Sequence, residues 1–171
     1  MTAFSQFNPK RSPWSVILLF ALVFWLSASV ILDLVVMPSL YAAGMMSQPG
    51  FASAGSMIFG AFNRIELIGA ALIASGIFVV CTSQQPLANR PRIAMILAVL
   101  LLGIVAIDTY GLAPQMSALG AQFNLFESAE SAPEAMNWMH GSYFGLELVK
   151  LGAIATLASW CYRKQLSWTD R

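Results

Sequence analysis

The sequence predicts an all-α integral membrane protein, a four-transmembrane-helix antiparallel bundle built from two parallel two-helix repeats with both termini cytoplasmic. Three observations predict it. Of 171 residues, 58% are hydrophobic and 10% charged, too little polar surface to cover a water-soluble globule. Apolar runs recur four times, each long enough at about 1.5 Å per residue to cross a hydrocarbon core of about 30 Å. The runs also come in matching pairs: residues 59–70 read Phe-Gly-Ala-Phe-Asn-Arg-Ile-Glu-Leu-Ile-Gly-Ala and residues 140–151 read His-Gly-Ser-Tyr-Phe-Gly-Leu-Glu-Leu-Val-Lys-Leu.

Residues 1–13 form a polar tail with Lys10, Arg11 and Pro13. Segment one, Trp14 to Met37, is apolar except for Asp33 and three serines. A positive start and Ser27-Ala28-Ser29 imitate a cleavable signal, but the run is too long and continues past that site, so a retained helix is expected. Residues 38–50 hold Pro, Gly and Ser without charge and read as a connection against the membrane interface. Segment two, Met57 to Cys81, carries Arg64 and Glu66. The first repeat is thus residues 14–81.

Residues 82–92, with two prolines and two arginines, form a cytoplasmic linker. The second repeat, residues 93–162, opens with segment three, Ile93 to Leu112, interrupted by Asp108. Residues 113–137, with Pro114, Pro133 and the acids Glu127, Glu130 and Glu134, read as a longer outward connection. Segment four, Trp138 to Tyr162, contains His140, Glu147 and Lys150, and residues 163–171 form a second cytoplasmic tail. Lys10, Arg11, Arg90, Arg92, Arg163, Lys164 and Arg171 all fall on one side of this topology, which the positive-inside rule makes cytoplasmic. The two cysteines, Cys81 and Cys161, lie on that reducing side, and most weight goes to their being small apolar residues at helix ends.

The repeats align with one inserted residue: Asp33 with Asp108, Pro38 with Pro114, Gly44 with Gly120, Gly60 with Gly141, and Glu66 with Glu147. Helical rise from the cytoplasmic ends puts Glu66 and Glu147 roughly 22 Å up, and Asp33 and Asp108 at about 24 to 29 Å. Asp33, Arg64, Glu66, Asp108, Glu147 and Lys150 therefore make an intramembrane polar layer of four acids and two bases. Charged groups kept in a span face the bundle interior and often mark a function, and the excess of acid suits a proton, a cation or a partner's positive group. Mutual salt bridges fixing helix register explain the same residues equally well: Glu147 and Lys150 are i,i+3 neighbours, whereas Arg64 and Glu66 point to nearly opposite faces.

His140, Tyr143 and Glu147 lie along one helix stripe, and Met136, Met139 and His140 share a face at i, i+3 and i+4. Seven of nine methionines fall at outer ends or connections. Thioether with imidazole suits Cu(I), although a hydrogen-bonded structural histidine among gap-filling methionines is the commoner arrangement. Enzyme templates are missing: there is no Gly-rich phosphate loop, no Ser-His-Asp set, no His-Glu-x-x-His and no Cys-x-x-Cys. The single histidine excludes bis-histidine haem ligation within one chain.

Phe24-Trp25-Leu26, Val35-Val36-Met37-Pro38-Ser39-Leu40-Tyr41 and Ile58-Phe59-Gly60-Ala61-Phe62-Asn63 with Glu66 resemble the transmembrane protein 205-like family, a domain of unknown function. The likeness covers most of the chain and is strongest over residues 14–76. More distantly the chain is similar to the copper-resistance protein D grouping, which includes four-helix proteins of tetrapyrrole oxidation. The resemblance implies a polyhelical membrane protein with metal or haem handling. The haem-binding branch has a histidine in segment one, where this chain has none.

The first expectation for function is a non-enzymatic accessory, assembly or partner-docking component in the lipid bilayer, bound to another membrane protein or a second copy. Small residues such as Gly60, Gly69 and Gly76 suit close helix packing. The alternatives are a cation, proton or Cu(I) binding or transport protein and a haem-linked membrane oxidoreductase. A formal net charge of +1 with no basic cluster gives no sign of nucleic-acid binding. A bacterial inner membrane or a thylakoid membrane is the expected setting.

Overall fold

The structure, a computed structural model, describes residues 13–45, 48, 50–82, 91–126 and 134–169. Four helical rods result. In the first, α1 (Pro13–Ile31) passes through a π-helical segment (Leu32–Val36) into α2 (Met37–Ala42). The second is α3 (Phe51–Thr82). In the third, α4 (Pro91–Ile107) passes through a second π segment (Asp108–Leu112) into α5 (Ala113–Phe126), and the fourth is α6 (Glu134–Thr169). Each is long and apolar enough to cross a membrane, over Trp14–Ala42, Ser53–Thr82, Pro91–Gly120 and Met136–Leu166. The architecture is that of an all-α multi-pass membrane protein.

The rods run beyond the expected segments, and the prolines explain how. Pro38 and Pro114 have no N–H to offer the carbonyl four residues back, and their rings crowd it. Just ahead of each proline the helix widens by one residue: the Met37 N–H bonds to the Leu32 carbonyl and the Ala113 N–H to the Asp108 carbonyl, both five residues back. This accommodates the proline without ending the rod. Residues 38–42 and 113–126, expected in connections, are therefore helical. The break comes at Gly44, whose φ of 68° closes α2, and Gly50, with φ of 86°, precedes α3. The acids Glu127 and Glu130 lie outside the described residues, as does Arg90, whereas Arg92 of the expected linker lies in the first turn of α4.

α1 packs on α3 and α6, and α4 packs on α3 and α6. The inward faces supply Leu18, Leu22, Ile73, Ile77, Leu101 and Ile154, all buried. Contacts between α1 and α3 follow opposite sequence order: Leu18 lies against Gly76, while Trp25 and Ser29 bond to Glu66. Gly76 allows that approach, since a Cβ there would stand 2.7 Å from Leu18 Cδ2; Gly60 and Gly69 meet nothing within 4 Å. The outward faces expose Phe20, Phe24, Ile68, Leu72, Val99 and Leu148, a surface that suits acyl chains rather than water.

Candidate functional site: a buried acidic layer beneath an apolar chamber

Near the middle of the bundle, Lys150 on α6 is wholly enclosed, with 0% of its surface exposed. Its Nζ donates to both oxygens of Glu66 on α3, at 2.7 and 2.8 Å, and forms an ion pair with Glu147 Oε2 at 2.6 Å one turn away on its own helix. Glu66 Oε1 also accepts from Trp25 Nε1 at 2.7 Å and from Ser29 Oγ at 3.1 Å. One ammonium and two α1 donors thus leave neither oxygen of Glu66 without a donor. An ion pair in a low-dielectric interior repays its desolvation only when its remaining lone pairs find donors, and around Glu66 they do.

Around the other acids they do not. Glu147 Oε1 is buried without a hydrogen-bond partner, as are Asp33 Oδ2 and both carboxylate oxygens of Asp108. Asp108 is fully buried. Asp33 and Glu147 approach within carboxyl–carboxyl hydrogen-bonding range, and Lys150 and Glu66 are within electrostatic reach of both Asp33 and Asp108. Two carboxylates in contact repel unless a proton or cation lies between them. Asn63 is also fully enclosed: its Oδ1 faces the Tyr143 hydroxyl at 3.5 Å, and its Nδ2 has no partner.

Five of the six layer residues expected from sequence, Asp33, Glu66, Asp108, Glu147 and Lys150, are brought together. Arg64 is not: it is exposed on the outward face of α3, as its two-residue offset from Glu66 requires. Its absence changes the charge balance. Fully ionised, four carboxylates against one ammonium leave three excess negative charges (4 − 1), rather than two. Sequence reasoning missed Trp25, Ser29 and Asn63. Trp25 and Ser29 are four apart on α1 and Asn63 is three before Glu66, spacings that put them on the inward faces.

The layer borders a chamber of about 310 Å³ with mostly apolar walls. Asp33 is on its wall, with Phe51, Phe59, Tyr143 and Phe144. Met136 and His140 of the expected soft-metal triad line it too, joined by Met37 and Met116 and not by Met139. His140 Nδ1 lies 2.9 Å from the Met136 carbonyl, an ordinary intrahelical contact that leaves Nε2 as the ring's second polar atom. Among the described residues no group of three or more His, Cys, Asp or Glu side chains could hold a metal ion, and one histidine supplies one axial haem ligand at most.

The class this geometry defines is a multi-pass membrane protein with an acid-rich buried polar centre. Comparison with protein-family models, curated proteins and solved structures gives no match, so the centre is read from its own chemistry.

Proposed function

We propose that this chain is a membrane protein whose buried acidic layer takes up positive charge as bound protons, within an antiparallel bundle of two parallel repeats with cytoplasmic termini. The observation that carries it is the set of orphaned oxygens on Asp33, Asp108 and Glu147 around a single ammonium. A layer serving only to fix helix register would be expected to end as Glu66 does, with its lone pairs satisfied. Uncompensated charge at this depth costs several kcal/mol per group, so the layer is more stable when the missing positive charge is supplied.

The test is a proton count. In lipid nanodiscs, the acid–base titration of the wild type minus that of the Asp33→Asn, Asp108→Asn, Glu147→Gln triple variant should show extra protons bound by the wild type near neutral pH. Superimposed curves would refute the reading.

A second reading, partner docking, draws on Arg64, an exposed cation on the outward face of α3 among exposed Met57, Ile65, Ile68 and Leu72. A charge on a lipid-facing surface is costly unless it snorkels or pairs with a neighbouring protein. Under this reading the wild type migrates on native gels as a complex that Arg64→Leu dissolves; equal migration of monomers in both would dismiss it.

A further inference from the structure

We infer that the chamber beside Asp33 is a binding site for a compact lipophilic ammonium ion, an organic cation whose charge sits at Asp33 and whose carbon body fills the apolar space. This deepens, and rests on, the reading of the layer as an acceptor of positive charge. Two features point to this ligand class rather than to a bare metal ion. Hard cations need a shell of about six oxygens, whereas the chamber wall carries one carboxylate with scattered hydroxyls at Ser56, Ser117 and Tyr143. At about 310 Å³ the space is far larger than an ion and falls at the small end of cavities for organic ligands.

The walls supply what an ammonium's substituents need. Phe59 and Tyr143 meet edge to face, with centroids 5.8 Å apart and planes at 81°, so the pair itself covers only one of its four ring faces. Aromatic faces attract cations, most strongly where water is excluded, and the thioethers of Met37, Met116 and Met136 adapt to irregular apolar shapes. The charge complement lies at the chamber's edge. Asp33 is on the chamber wall with its Oδ2 buried behind that wall and unpartnered, and Glu147, beyond it, is 4% exposed with its own Oε1 unpartnered. A cationic nitrogen seated against Asp33, with or without N–H groups, would offset the repulsion between these two carboxylates, and neutral ligands of the same shape would not.

The experiment uses the full chain in nanodiscs and radiolabelled phenyltrimethylammonium, with empty nanodiscs as blank. Saturable binding above the blank is expected, displaced by phenethylamine and at least roughly tenfold less well by its neutral analogue 2-phenylethanol. Asp33→Asn should weaken binding by a similar factor, and Phe144→Ala, which removes a wall without touching the acids, severalfold. No saturable binding to the wild type, equal displacement by the alcohol, or undiminished binding to a folded Asp33→Asn variant would overturn the inference. The proton count separates the two claims: extra bound protons without ammonium binding leave the acidic layer standing and remove only the ligand, whereas failure of both removes both.

Discussion

Glu66 and Glu147 hold matching places in the two halves of the sequence, and the structure treats them differently. Glu66 collects two bonds from Lys150, one from Trp25 and one from Ser29. Glu147 collects one contact, from the same lysine, and leaves an oxygen orphaned beside Asp33. The partners explain the difference. α1 presents an indole N–H and a hydroxyl to Glu66, whereas Glu147 faces a second carboxylate, Asp33, which is itself on the chamber wall. One half of the layer is a closed structural joint and the other is an unfinished site, so substitutions in the two halves should separate stability from binding.

The largest effect is expected at the residue both halves share. Lys150→Met leaves two buried carboxylates without their cation and should cost about 3–5 kcal/mol, read as a fall in thermal unfolding temperature in nanodiscs; an unchanged temperature would mean that the ion pairs contribute nothing. Next comes Glu66→Gln, which removes the charge from a fully bonded acceptor and leaves Lys150 with Glu147 alone. A loss of about 2 kcal/mol is expected by the same measurement. Glu147→Gln should cost less than Glu66→Gln, because one of its oxygens has no partner to lose, and should instead reduce the number of protons bound. If the two glutamine variants gave equal destabilisation and equal proton counts, the asymmetry between the halves would be gone.

Smaller effects lie at the supports. Trp25→Phe keeps the packing and removes one donor from Glu66, for about 1 kcal/mol. Gly76→Ala sets a Cβ against Leu18, where the flexible end of the leucine can give way, so about 1 kcal/mol is again expected, at the low end of overpacking costs. Gly60→Ala and Gly69→Ala, whose added Cβ meets nothing within 4 Å among the described residues, should leave the unfolding temperature unchanged; a drop there would reveal a neighbouring helix.

Much of the architecture was legible because lipid imposes it. A span must be long, apolar and helical to satisfy its own backbone, so four such runs of sequence predict four rods. Asp33, Glu66, Asp108, Glu147 and Lys150 were legible as a layer for the same reason, since the rise per residue fixes depth. What helical rise could not give was the direction each side chain faces across the bundle, and hence that Arg64 points outward while Trp25, Ser29 and Asn63 point in. The prolines misled for a local reason. Pro38 and Pro114 read as the ends of helices, but a one-residue widening ahead of each lets the helix pass, and this left most of α2 and all of α5 in expected connections. The aspartates also shift by one place relative to that device: Asp33 stands five residues before its proline and Asp108 six. Their surroundings differ accordingly, with Asp33 on the chamber wall and Asp108 enclosed.

Asp108, with both oxygens orphaned and no exposure, is where the central claim is most directly tested. Infrared spectra of the wild type in nanodiscs with isotope-labelled aspartate, recorded at neutral pH without added organic cation, should show an un-ionised aspartic carboxyl band that Asp108→Asn weakens. Spectra showing only ionised aspartate, or a carboxyl band indifferent to Asp108→Asn, would contradict the account.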